Sequence, residues 1–300
     1  MKRKTIVRPA PIAMMALTAA LTWGCSNNDK DQLTTEQQQQ RSVSAAQDNG
    51  QIILATQEMM DVTAGAFAEK GITDGRKLSE RTDSCIPSVS GNFNLNTTFP
   101  DSLIYSGSVT VDYGDGSSCD SAHPRSGKIT DTFVYALGTR GGKFVFSTKE
   151  DINFVAFKKD TVKFDGNVNL RSGSTIPTTV EAINAKMTYP DGTAAQWNGA
   201  LAFEYVKMKT NRGWGGASIS VTGSLNGTSR EGTAFSAGIS RAIVFRNTCP
   251  GLYRFIPLTG TIDITTNGVN STLDYGDGSC DKTYTITSGG TTTVYVWDKK

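Results

Sequence analysis

A single histidine, His123, stands in 300 residues. That leaves no multi-histidine metal site, and one candidate base for any Ser/His or Cys/His mechanism. The chain contains no Cys-x-x-Cys, no Gly-x-Ser-x-Gly, no phosphate-cradling Gly-rich lysine loop and no paired-His helix motif. Dithiol redox, serine acyl transfer, phosphoryl transfer and zinc hydrolysis therefore have no motif behind them. Charged residues are only 19% of the chain, against roughly 25% in an average soluble domain. The longest apolar stretch, Ile12 to Leu21, falls short of the ~18 residues that a membrane-crossing helix needs. Lys and Arg number 30 and Asp and Glu 28, a formal +2. Four of those basic residues, Lys2, Arg3, Lys4 and Arg8, precede residue 25. Without them the balance is −2, and nucleic acid or another polyanion finds no compositional support as a partner.

What is present begins with a leader. Residues 1–24 have a basic start, a short apolar core and small residues near the end, the pattern of an export signal. Thr22-Trp23-Gly24-Cys25 followed by the polar run Ser26 to Asp31 resembles a bacterial lipoprotein signal, with Cys25 acylated as the new N-terminus. Residues 25–47, rich in Gln, Ser, Thr and Asn and including Gln37 to Gln40, read as a solvated tether. Asp48, with Gln51 three residues on, has the form of a helix N-cap. An amphipathic helix is expected over 48–71, with Ile52, Ala55, Met59, Val62 and Ala66 along one face and Ile53, Met60 and Phe67 beside it.

Residues 72–300 change period. Val109/Val111/Tyr113, Ile129/Phe133/Tyr135/Leu137, Val162/Phe164/Val168/Leu170, Ile219/Val221 and Ile262/Ile264 alternate as half-buried strands do. Turn chemistry such as Pro190-Asp191-Gly192, Asn226-Gly227 and Asn267-Gly268 separates them. The fold class is mainly β: an antiparallel sandwich or one long curved sheet, with the N-terminal helix packed on it.

The β region carries an internal repeat. Asp112-Tyr113-Gly114-Asp115-Gly116-Ser117-Ser118-Cys119-Asp120 recurs as Asp274-Tyr275-Gly276-Asp277-Gly278-Ser279-Cys280-Asp281. Each copy has an earlier cysteine, Cys85 or Cys249, and each is followed by Ser-Gly, at Ser126-Gly127 and Ser288-Gly289. Two cysteine modules, 85–140 and 249–300, follow. If strand 91–96 pairs antiparallel with 108–113, Cys85 and Cys119 sit at the same end of a hairpin, as do Cys249 and Cys280. Of three pairings, that geometry favours Cys85 with Cys119 and Cys249 with Cys280. The Asp residues of the two loops could surround a Ca²⁺ as in an adhesin-like module. Turn amides satisfied by Asp side chains are the more ordinary use of such a sequence, and no metal or cofactor is expected.

The leader, the helix after a polar tether, the Val-Asp-Tyr-Gly-Asp-Gly string followed by Cys-Asp, and Arg125 to Ile129 together resemble outer-membrane lipoproteins of the Bacteroidota type. The resemblance implies an envelope location and a β-rich fold, and transfers no catalytic residue. Arg212 and the Gly213-Trp214-Gly215-Gly216 segment read as a flexible loop presenting a Trp, the candidate for stacking on a sugar. Trp197 and Trp297 lie in alternating segments where packing is the default. The expected function is a non-enzymatic protein of the outer membrane, held by the lipid at Cys25, with a binding or structural role towards a glycan or an envelope protein. A surface glycan-binding protein or glycoside hydrolase is the alternative, the latter needing two carboxylates about 5 to 10 Å apart in a cleft.

Overall fold

The computed structural model describes residues 33–71, 87–99, 102–116, 124–140, 143–159, 161–174, 176–210, 213–246, 256–281 and 283–296, with the side chains of 205–217 and a few others not described. A helix α1, Thr35–Glu69, precedes thirteen strands. They are β1 Ser88–Phe99, β2 Ser102–Asp112, β3 Arg125–Arg140, β4 Lys143–Lys159, β5 Val162–Gly173, β6 Ile176–Thr188 and β7 Ala194–Thr210. There follow β8 Gly213–Thr228, β9 Ala234–Arg246, β10 Ile256–Thr266, β11 Val269–Asp277, β12 Thr283–Ser288 and β13 Thr291–Val296.

Every strand pairs antiparallel with its neighbours in sequence, giving one thirteen-stranded meander rather than a sandwich. Most neighbouring strands are joined by short hairpins, which favour pairing between neighbours in sequence,. One face carries the core, including Ile129, Phe133, Ile152, Phe154, Phe203, Val221, Phe245 and Leu273. The other carries Thr222, Ser224, Asn226, Ser236, Asp263 and Thr265, all exposed.

Bulges bend the sheet. In β4 and β6 the register shifts at Phe154/Phe157 and Ala182/Ala185. Ala156 and Asn184 there adopt left-handed φ of 49° and 50°. The amides displaced from the ladder are satisfied by side chains: Ala156 N–H donates to Asp165 Oδ1 at 2.8 Å, and Asn184 N–H to Asn198 Oδ1 at 2.8 Å. Opposite the second bulge, Gly166 has φ 125° and a backbone so close that a Cβ would lie 2.7 Å from the Ala185 Cα. Bulges paired with such glycine kinks curl a sheet towards its core face.

The curl encloses α1, which lies against β2 near one flank and against β10, β11 and β12 near the other. Of the described side chains between Ser42 and Ala68, only Gln51, Asp61 and Ala64 are exposed. The helix packs on the sheet as its Ile, Met and Phe pattern predicts, yet it is longer and more deeply enclosed than one apolar stripe requires. Ala45, Ala46, Gly50, Gly65, Ala66 and Ala68 let the sheet approach closely. Three of its buried polar side chains turn back on the helix itself: Asn49, Thr56 and Thr63 donate to the carbonyls of Ala45, Ile52 and Met59,.

The start of the helix corrects the sequence reading. Residues 35–47 of the expected tether are helical, and Ser42, Ala45 and Ala46 are fully buried. Asp48 is no cap. It lies inside the helix with 0% exposure, and the side chains that hold it come from turns far along the chain. The segment 72–86, the cysteines Cys25, Cys85, Cys119 and Cys249, and His123, Arg212 and Trp297 lie outside the described residues.

The connections form two rims. The β6–β7 and β8–β9 turns lie at one, the near rim, and meet the first half of α1 through Asp48. Phe67, close to the helix end, packs against Phe133 and Tyr135, with ring centroids 4.9 and 5.6 Å away. Tyr135 lies beyond the middle of β3, towards the β1–β2 and β3–β4 turns of the far rim. The helix thus runs from near rim to far rim.

Candidate functional site

The two Asp-Tyr-Gly-Asp-Gly copies share the contact of their first Asp but not the turn after it, since Gly116 N–H donates to the Tyr113 carbonyl and Gly278 N–H to that of Leu258. Asp112 Oδ1 accepts from Gly114 N–H at 2.8 Å, and Asp274 Oδ1 from Gly276 N–H at 2.7 Å. Tyr113 and Tyr275 both point into the core, at 3% and 1% exposure. The equivalence ends there. β1–β2 matches β10–β11, but β10 follows β1 by nine strands, an odd number, so the copies run in opposite directions. The first copy's loop is at the near rim and the second's at the far rim. Ser126-Gly127 opens β3, whereas Ser288-Gly289 closes β12 at the rim opposite its own loop, so the Ser-Gly match has no structural counterpart.

At the far rim the second loop borders a shallow depression of about 440 Å³ lined by Arg241, Asp274, Asp277, Asp281 and Tyr284 among others. Its carboxylates are engaged. Arg241 pairs with Asp274 at 2.8 Å, Asp277 accepts from Ser279 N–H at 3.0 Å, and Asp281 accepts from Thr283 N–H at 3.0 Å. The Ser279 and Thr283 amides hold Asp277 and Asp281 below the usual carboxylate range. At the near rim Lys128 pairs with Asp112 at 2.8 Å and, with the Gly114 amide, lowers its pKa. Among the described residues no group of three acidic, Cys or His side chains is set to hold a metal. These Asp residues act as turn acceptors and surface ion-pair partners.

Cys280, exposed beside that depression, is not a free thiol. Gly213 to Gly216 belong to β8, with Gly213 opposite Thr210 and Gly216 opposite Met208, so the segment is strand where a flexible loop was expected. The Trp214 side chain lies outside what is described. Trp197 is core, at 2% exposure.

The chemistry that the sequence did not reveal lies on the concave face of β3 and β4. Asp131 and Glu150 point inward at 2% and 7% exposure and lie near enough for each to perturb the other's ionisation. Tyr135 O–H donates to Glu150 Oε1 at 3.0 Å. Among the described residues no donor reaches either oxygen of Asp131, and neither carboxyl has a basic partner. Burial, then the Glu150 charge, pushes Asp131 up to about 9. Glu150 is raised too, by burial, against the opposing Tyr135 and Asp131 hydrogen bonds. Two coupled carboxyls this deeply buried resist ionising together, so the pair keeps a proton,. Both carboxyls are buried, whereas a glycoside hydrolase presents its pair in an open cleft ~5 to 10 Å apart.

Phe146, Thr148 and Glu150 are successive inward positions of β4, running from the far rim to the acids. Phe146 is 42% exposed, Thr148 half-buried and Glu150 buried. Register places Leu137 opposite Phe146, Leu103 opposite Leu137, and Leu95 opposite Tyr105. Leu95, Leu103 and Leu137 are exposed on the same concave face. An apolar apron thus ends at a buried acid floor.

No protein-family model, curated protein or solved structure matches the chain. Any function is therefore argued from this geometry and from the sequence. Among the described residues no helix is long and apolar enough to cross a membrane.

Proposed function

We propose that this chain is a lipid-anchored protein of the outer membrane whose helix-cored sheet has a binding or structural role and performs no catalysis. The observation that carries the reading is the leader: a basic start, a short apolar core and Cys25 followed by the polar run Ser26 to Asp31 have the form of a lipoprotein signal,. Acyl chains supply about 0.8 kcal/mol per buried methylene, and two or three chains anchor stably.

The two disulfides, Cys85 with Cys119 and Cys249 with Cys280, belong to the same reading. They are supported by β1 beginning opposite the end of β2, Ser88 to Asp112, and by β10 meeting the end of β11, Thr259 to Asp277. Each would close one rim, and an oxidising exported compartment suits both.

The test is metabolic labelling with an alkyne palmitate in a bacterial host that exports the chain. Label in the native protein and none in Cys25→Ser, with the label in the outer-membrane fraction, is the expected result. Equal label in both, or release of both into the soluble fraction, overturns anchoring. Peptide mapping without reduction reads the bridges, and a peptide joining Cys85 to Cys249 overturns the pairing.

A further inference from the structure

We propose that the far-rim end of the concave face binds a cationic amphiphile, whose hydrocarbon lies against Leu95, Leu103, Leu137 and Phe146 and whose ammonium pairs with Glu150 and Asp131. The idea deepens the binding role above and fails separately from it, since anchoring is read by acyl label and this site by titration of an unacylated chain.

Two independent observations meet here. The first is the apolar apron. Leu95 is 58% exposed and Leu103, Leu137 and Phe146 are each 40% or more, although all four are on the face that elsewhere makes the core. Sheet residues on the core side are normally covered, and an exposed apolar set on that face is a contact surface. The aromatic wall continues inward from it: Phe93 stacks on Tyr105 at 5.8 Å, Tyr105 meets Phe133 at 5.7 Å, and Phe133 meets Tyr135 at 5.0 Å.

The second is uncompensated acidity at the inner end. Asp131 is almost wholly buried, and no donor among the described residues reaches either of its oxygens. Around the pair, Tyr135 on β3 donates to Glu150. On β4, Asp151 faces outward and adds negative potential. On β5, Arg171 is engaged by the Glu150 and Leu170 carbonyls and the Asp151 carboxylate, at 3.3, 3.0 and 3.4 Å. From α1, Phe67 covers Tyr135. Buried acidity is stabilised by a proton or by a close opposite charge, and this floor has the first while no basic side chain supplies the second,.

Thr148 lies between the two parts, and its hydroxyl is buried with no partner among the described residues. An ammonium entering along β4 finds that oxygen midway, then the acids. From Phe146 to Glu150 is four residues of strand, about 13 Å, a span for a medium-length alkyl chain. On binding, the ammonium replaces the proton kept by Asp131 and Glu150, which leaves to solvent, so charge and protons balance. Charge complementarity selects the amine over its neutral and anionic counterparts.

The experiment uses the exported full chain carrying Cys25→Ser, titrated calorimetrically at pH 8 with dodecylamine, dodecanol, dodecanoate and CaCl₂, each alone and below micelle formation. Expected is one site for dodecylamine, at least tenfold tighter than for dodecanol or dodecanoate. Asp131→Asn/Glu150→Gln should reduce that preference to under threefold, and Phe146→Ser should weaken the amine and the alcohol alike. The double variant is checked for folding by its thermal transition, and Phe146→Ser, at an exposed position, keeps the apron testable if the double variant does not fold. Equal affinity for amine and alcohol overturns the proposal, as does an amine preference that survives in the double variant. Calcium binding lost in the double variant, without an amine preference, would make the pair a metal site and overturn it equally.

Discussion

Arg230 holds Asp48 across 182 positions of sequence, donating to its carboxylate from both backbone N–H and guanidinium. Tyr189 O–H donates to the same carboxylate at 2.6 Å, and the guanidinium lies 3.7 Å above the Tyr189 ring. The two residues come from neighbouring near-rim turns of the same form, in which Gly192 and Gly232 N–H donate to Tyr189 and Ser229 carbonyls. The helix is thereby tied by one buried ion pair to two hairpins. Asp48 is fully buried and Arg230 about a quarter exposed, so removing one partner strands the other.

Arg230→Ala is accordingly expected to cost about 3 to 5 kcal/mol, and Tyr189→Phe about 1 kcal/mol. In a double-mutant cycle, Asp48→Asn with Arg230→Ala should lose clearly less than the sum of the single variants. Denaturant unfolding measures all of these, and additive losses would show that the pair does not couple.

Asp131 makes stability depend on pH in a defined direction. Its unfolded pKa is about 3.9, and its native value is about 9, so the native state keeps a proton that the unfolded chain releases. Its contribution is complete below pH ~4 and declines as pH rises towards 9. Asp131→Asn should match the native protein near pH 4 and exceed it by about 1 to 3 kcal/mol at pH 8. Parallel melting curves across that range would refute the retained proton.

Starting the chain at residue 48 separates helix from tether. Because Ser42, Ala45 and Ala46 are buried and Ser271 Oγ–H donates to the Ser42 carbonyl at 3.5 Å, loss of 35–47 should cost at least about 2 kcal/mol. A solvated spacer could be removed with no change in melting temperature.

Gly166→Ala tests the curl. With φ 125° and the Ala185 Cα 2.7 Å from the added Cβ, a loss of about 2 to 4 kcal/mol is expected. The same change at Gly238, which has no atom within 4 Å of a Cβ and no positive φ, should be mild.

Much of the sheet was legible because each strand alternates and its turns carry Gly, Asn or Asp. Strand 91–96 pairs antiparallel within the first hairpin as expected, but with 104–109 and not 108–113, from Gly91 opposite Val109 to Asn96 opposite Ile104. The helix start was not legible. Asp48 with Gln51 has the local form of a cap, and the ion pair that explains it comes from Arg230. The Gln-rich segment reads as solvent-loving because nothing local shows that the sheet closes over its end. Asp131 and Glu150 stayed hidden for another reason: each stands in an apolar alternation as a lone acid, and only the β3–β4 register brings them together. One signal was available, since Asp131 holds an inward position between Ile129 and Phe133.

The odd strand count between the two Asp-Tyr-Gly-Asp-Gly copies has a practical consequence. A single chain shows the same short peptide at both of its ends, facing opposite ways. An antibody or receptor that recognises Gly-Asp-Gly-Ser as a linear peptide would find it at both rims, so one chain could bridge two such readers as a bivalent antigen without forming a dimer.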